Sequence, residues 1–247
     1  MEVGTTSRWL AGSWSFIYVC AGVLSINSSS MTNETCFVRQ SAHQTMSPSE
    51  KRLFELIEAR LATGAEIPTI DAKIDSLFGE EWAILITDMS GFSRRTARYG
   101  IIHFLTMIHL MRRLAEPLLQ EHNGLLLKEV ADSFFVIFRT PPSALSFAIA
   151  LRQATLEYNH HKDEDEQLHV CQGIGFGRIL RIGDTDIFGH EVNLAARLGE
   201  DVAHAEEILL TPGAKQALAQ TSGVTFEPQE GELFGAGPVP YFRLQPR

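Results

Sequence analysis

From residue 47 onward, short continuous apolar runs alternate with longer stretches whose apolar positions recur three and four residues apart. Ser47 followed by Glu50, with Leu53, Ile57 and Leu61 at helical spacing, predicts a capped amphipathic helix that Gly64 and Pro68 terminate. A second short helix is predicted over residues 71–78, where Ile74 and Leu77 share a face. Residues 82–87 are apolar throughout and too few for an independent helix, so they read as a strand buried on both faces and ending at Asp88. Ser93 is predicted to open one long helix, whose stripe Ile101, Leu105, Ile108, Met111, Leu114 and Leu118 runs to His122 before Asn123 and Gly124 stop it.

Residues 125–130 and 133–138 are two apolar runs with a minimal connection, the signature of a tight hairpin, and Asp132 sits at its turn. Pro141 and Pro142 begin a helix to residue 160 bearing Leu145, Ile149 and Leu156; a charged loop over 161–167 follows. Residues 168–182 read as a strand with glycines at 173, 175 and 177. A helix over 192–198, a strand over 208–210, a helix over 211–219 with Pro212 in its first turn and a closing strand over 239–244 complete the pattern. Strand, helix, strand, strand, helix, strand is the order of an α+β, ferredoxin-like (split βαβ) arrangement, with helices on one face of an antiparallel sheet. The expected organisation is an N-terminal segment 1–46, a helical collar 47–79 and one catalytic domain 80–247.

Composition narrows the choices. A chain of 247 residues, 45% hydrophobic and 21% charged, can core one domain of ordinary size plus an accessory segment. Lys and Arg total 21 against 30 Asp and Glu, a formal charge of −9, which excludes a nucleic-acid partner but not a small nucleotide whose phosphates a metal ion offsets. Cys20, Cys36 and Cys171 form no even set and no CxxC pair, so a disulfide framework and a zinc site are both excluded and a reducing cytoplasm is expected. The stretch 9–26 is apolar but interrupted by Gly12, Ser13, Ser15, Gly22 and Ser25 and preceded by one basic residue, Arg8. It leaves open a membrane span or signal peptide against a later translation start at Met31 or Met46, since 27–47 has the Ser, Thr and Asn content of a linker. The expectation is a protein without a membrane attachment.

Asp88 at a strand end and Asp132 at a hairpin turn converge if their strands are neighbours, and two such carboxylates suit magnesium in phosphoryl chemistry. Taken singly, each Asp is as readily an N-cap or a turn former. Asn193 and Arg197 lie four apart on one helix face and can meet one ligand. The glycines around Arg178 precede a continuing strand and not a helix, which rules out a dinucleotide fingerprint.

Three separated segments then agree: Thr87-Asp88-Met89-Ser90-Gly91-Phe92-Ser93, Lys128-Glu129-Val130-Ala131-Asp132 and the stretch from Asp186 to Arg197. In order and spacing they resemble the signature segments of class III adenylate and guanylate cyclases. The resemblance implies the class III nucleotide cyclase fold. It implies that Asp88, Asp132 and the Met89 carbonyl hold two Mg2+ or Mn2+ ions, and that the backbone of Ser90, Gly91, Phe92 and Ser93 cradles phosphates. It makes Lys128 and Asp186 the purine-reading pair, favouring ATP over GTP, Asn193 and Arg197 the transition-state pair, and Arg178 a triphosphate contact. A head-to-tail homodimer with two equivalent sites is implied, its product cyclic AMP; a guanylate cyclase and a non-catalytic, nucleotide-binding cyclase-like domain are the alternatives. Two departures stand out. Ala131 replaces the family's usual Gly, and residues 232–237 lack the phosphate-binding Lys many members carry.

Overall fold

A computed structural model describes residues 46–232 and 238–245, with the backbone alone at 92–95, 232 and 238. The apolar stretch 9–26, Cys20 and Cys36, and residues 233–237 of the segment without the expected Lys all lie outside these residues. Among the described residues no helix is long and apolar enough to cross a membrane.

The collar forms as two helices, α1 (Pro48–Leu61) and α2 (Ile67–Phe78). Ser47 Oγ accepts from the Glu50 amide at 3.2 Å while Glu50 Oε2 accepts from the Ser47 amide at 2.8 Å, so two amides that helical geometry leaves unpaired are satisfied reciprocally. Pro68 does not terminate α1; it sits in the first turn of α2, where its missing N–H has no helical partner to lose, and α2 therefore starts upstream of the expected residue 71. Leu56, Ile74 and Phe78 bury the inner faces of both helices against Ile182.

The sheet contains β1 (Gly79–Met89), β2 (Leu125–Val130), β3 (Ser133–Phe138), β4 (Val170–Ile182), β5 (Asp186–Phe188), β6 (Ile208–Leu210), β7 (Phe226–Glu232) and β8 (Pro238–Leu244). Its order is β2-β3-β1-β4-β6-β8-β7, with β5 paired to β4; β4 and β6 run parallel and all other neighbours antiparallel. The run β2-β3-β1-β4 is the expected split βαβ core. β1 extends past both expected ends because its flanks pair fully with β4, from Gly79 opposite Leu180 to Met89 opposite Val170.

Alternation along β1 gives each face its own core. Ala83, Leu85 and Met89 pack with Phe104, Met107, Met111, Phe147 and Leu151 from α4 (Ile101–Glu121) and α5 (Pro141–Asn159). Trp82, Ile84 and Ile86 pack on the other face with Ile179, Ile187, Val192 and Ala195, the last two from α6 (His190–Ala196). Helices thus lie on both faces, not one: β5 turns back along β4 and α6 follows it across the second face.

The expected long helix is two helices, α3 (Phe92–Tyr99) and α4, broken at Gly100, whose φ of +85° an L side chain rarely adopts. The break also turns the stripe. Phe104, Met107, Met111, Ala115 and Leu119 are buried, whereas Ile101 and Leu105 are 55% and 56% exposed. The short β5 and the edge strand β7, with sequence FEPQEGE, escaped the hydrophobic pattern because neither alternates in polarity.

Two close approaches position the functional elements. A Cβ on Gly173 of β4 would lie 2.1 Å from the Ala195 carbonyl oxygen, and one on Gly199 would lie 2.6 Å from the Ile86 carbonyl oxygen. Only bare backbone lets α6 and the following π-helix (Arg197–Val202) sit directly on β1 and β4. At the β2–β3 turn, Val130 pairs with Ser133 across two residues, and Ala131 takes a φ of +54°. A positive φ at the first central position is the sign pattern of a type II′ turn, where glycine is the unstrained choice. Ala131→Gly is therefore expected to raise the stability of the chain by about 1 kcal/mol, measured as an increased thermal or denaturant midpoint; an unchanged or lower midpoint would show that the turn carries no strain.

Candidate active site

Trp82, Ile84, Ile86 and Asp88 alternate onto one face of the sheet, so the strand that builds the core also delivers a carboxylate at its end. Thr87 pairs with Phe134 across the β1–β3 ladder, and the Phe134 amide donates to Thr87 Oγ1 at 3.3 Å. That register sets Asp88 beside the β2–β3 turn, and the two aspartates meet. Ser133 Oγ donates to Asp88 Oδ1 at 3.4 Å, and the polar amide of Met89 acts on both Asp88 and Asp132.

Asp132 is only 6% exposed, and its Oδ2 is buried without a hydrogen-bond partner. A buried carboxylate oxygen with no donor is costly and calls for a cation. Burial first, then the charges of Asp132 and Glu200, push Asp88 up to about 7; burial likewise raises Asp132. Among the described residues no three His, Cys, Asp or Glu side chains are grouped to hold one ion, so the donors within the chain are the aspartate pair and nearby backbone oxygens. Hard oxygens of this number suit Mg2+ or Mn2+, which complete their shells with water and phosphate. The residues fit a divalent cation.

Lys128, in β2, lies 4.8 Å over the Phe135 ring and donates to Asp186 Oδ1 at 2.7 Å. Asp186 Oδ1 also accepts from the Ile187 amide at 2.8 Å, which fixes the carboxylate at the start of β5. The structure thus brings this predicted pair together, half-buried, from segments far apart in sequence. Asn193 and Arg197 are both exposed on the outer face that α6 leads into the π-helix, and Arg197 pairs with Asp201. Gly91, with a φ of +82°, is the N-cap of α3 and supplies no side-chain cap, so the amides after it are not satisfied by a cap. The Ser90 amide is not among them, because it donates to the His169 carbonyl oxygen at 2.9 Å.

Arg178 is placed elsewhere. Its guanidinium makes a bidentate pair with Asp75 of α2, Nε to Oδ1 and Nη2 to Oδ2 both at 2.7 Å, and Nη2 also reaches the Asp75 carbonyl oxygen at 3.2 Å. Arg178 faces Glu81 in the β1–β4 register and Asp88 faces Cys171, so roughly 20 Å of strand separates Arg178 from the aspartates of the same chain. Glu200 was not legible in the sequence as a neighbour of the aspartates. Its position depends on the extra residue in the π turn, which no spacing rule for an ordinary helix anticipates.

The model of the adenylate and guanylate cyclase catalytic domain matches residues 78–244. Putative adenylate cyclase 3 of Rhizobium meliloti (strain 1021) is 29% identical over 144 residues, covering 58% of this chain and 24% of that protein. Serine/threonine-protein kinase pkn2 of Myxococcus xanthus is 27% identical over 134 residues, covering 54% of this chain and 16% of that protein. The chain thus spans a quarter or less of these two relatives. Among solved structures, an adenylate/guanylate cyclase/hydrolase from Silicibacter pomeroyi superposes with a TM-score of 0.61 at 26% identity, covering 68% of this chain and 98% of that one. The adenylyl cyclase CyaB from P. aeruginosa, at 19% identity, shares the fold with a TM-score of 0.59, covering 68% of this chain and 95% of that one.

The raised Asp88 carries a pH signature. Its folded-state value lies above that of an unfolded carboxylate, so the folded chain binds the extra proton and loses stability as pH rises from about 4 through about 7. In metal-free buffer Asp88→Asn should flatten this slope and raise the thermal midpoint at neutral pH, with little change near pH 4. A parallel pH profile in the variant and the parent would refute the crowding of the two carboxylates.

Proposed function

Since the chain belongs to the adenylate and guanylate cyclase catalytic domain family, we propose that it is an adenylate cyclase that converts ATP into 3′,5′-cyclic AMP and pyrophosphate at the interface of a homodimer. The observation that carries this reading is the buried, unpartnered Oδ2 of Asp132 beside Asp88. Asp88, Asp132 and the Met89 carbonyl would hold two Mg2+ or Mn2+ ions. When bound, such ions neutralise phosphate charge and make the 3′ hydroxyl a better nucleophile.

The chain's own residues do the rest. The amides that open α3, around Gly91, Phe92 and Ser93, bind phosphate oxygens with the help of the helix dipole. Lys128 donates to the ring nitrogen of adenine while Asp186 accepts from its amino group; before nucleotide arrives the two satisfy each other at 2.7 Å. Guanine places a carbonyl oxygen where adenine has that amino group, and Asp186 would then face an acceptor. Asn193 orients the ribose. Arg197 stabilises the charge that builds on the α-phosphoryl group as the 3′ oxygen attacks, the α–β phosphate bond breaks and pyrophosphate leaves. Arg178 serves the triphosphate only after leaving Asp75.

Each chain carries both the aspartate pair and the base-reading and charge-stabilising groups. A head-to-tail pair of chains would bring one set from each copy to two equivalent sites, and a lone chain would be inactive.

Assayed with either nucleotide in Mn2+ or Mg2+, a chain starting at Met46 is expected to cyclise ATP with at least about tenfold higher kcat/KM than GTP. Asp88→Ala should lower product formation about a hundredfold or more. Preference for GTP would reject the roles of Lys128 and Asp186, and tight ATP binding without product from a verified dimer would reject catalysis.

A further inference from the structure

After α6 the chain leaves the α-helical register and makes the π-helix that includes Arg197, Gly199 and Glu200. Gly199 lies against the Ile86 carbonyl, two residues before Asp88, and at this contact a side chain would not fit. The residue after it, Glu200, is half-buried, and the Ser133 hydroxyl and the charge of Asp132 both act on its carboxylate. Ser133 Oγ is the same atom that lies 3.4 Å from Asp88 Oδ1, and its one proton serves a single carboxylate at a time. Asp88 and Glu200 therefore compete for one hydroxyl proton, and both feel the charge of Asp132, whose Oδ2 is unpartnered. Arg197, on the same π turn, pairs with Asp201.

Like charges in a half-buried site repel unless a cation offsets them, and a carboxylate need not touch an ion to hold it. The three acids are not grouped as direct ligands of one ion, which places Glu200 outside the inner set. Resting on the reading of Asp88 and Asp132 as a cation cradle, we propose that Glu200 is a positioning residue of that cradle. It holds the Ser133 side chain beside the pair, sharing that one proton with Asp88, and adds the negative charge that draws a divalent cation to the pair. The π turn is the device that presents it, because the extra residue seats Gly199 on β1 and turns Glu200 towards the aspartates.

The test is Mn2+ binding to the full chain without nucleotide, read by the electron paramagnetic resonance of free Mn2+, together with the thermal midpoint in chelator. Glu200→Gln should weaken Mn2+ affinity about tenfold, while the metal-free midpoint stays equal to the parent or rises because a repulsion has been removed. Unchanged Mn2+ affinity in the variant would overturn the role of Glu200 alone. Weaker affinity accompanied by a lower metal-free midpoint would also overturn it, by showing a structural role. Failure of the parent chain to bind Mn2+ would overturn the cradle itself and this proposal with it.

Discussion

The pairing of β1 with β3, in which Thr87 faces Phe134 and Ser133 closes the preceding turn, fixes everything that follows. Strand side chains alternate, so a slip of one residue would carry Asp88 to the face packed by α4 and α5 and bury Ile86 on the wrong side. The register is held by apolar demand on both faces, Ala83 and Leu85 against the helical layer and Trp82, Ile84 and Ile86 against α6 and β5. A core that tolerates no shift thereby delivers a carboxylate to a turn with little freedom of its own. The turn contributes a second, nine-tenths buried carboxylate with an orphaned oxygen. Such an arrangement is unfavourable in an empty protein, and a bound cation would relieve its repulsion.

The remaining groups are placed by glycines as much as by side chains. Gly173 and Gly199 let α6 and the π-helix touch the sheet backbone, and this sets where Asn193, Arg197 and Glu200 emerge. The collar packs its apolar faces on Ile182 and is tied to β4 by the bidentate pair of Asp75 with Arg178. Both side chains are more than half exposed, so the pair contributes little to stability but does fix where the guanidinium rests.

Much of this was legible from residue types. The hairpin at Asp132, the capping box at Ser47 and the strand ending near Asp88 follow from local rules that the tertiary structure leaves intact. The meeting of Lys128 and Asp186 was legible only through family resemblance, since β5 has three residues and no pattern of its own. What local rules missed depends on backbone geometry. Gly100 breaks a helix whose apolar stripe looked continuous, Pro68 begins a helix it was expected to follow, and the π turn moves Glu200 to a place that α-helical spacing does not give it. Arg178 carried a motif position but sits in an ion pair, because Asp75 of α2 offers two carboxylate oxygens in the geometry its guanidinium prefers.

The central claim, that Asp88 and Asp132 jointly hold divalent cations, is tested most directly by anomalous scattering from crystals grown with Mn2+ and a non-cyclisable ATP analogue. The account predicts manganese peaks within coordinating distance of both carboxylates, with the adenine edge on Lys128 and Asp186 of a second copy. Manganese bound elsewhere, with Asp88 and Asp132 contacting no ion, would contradict it.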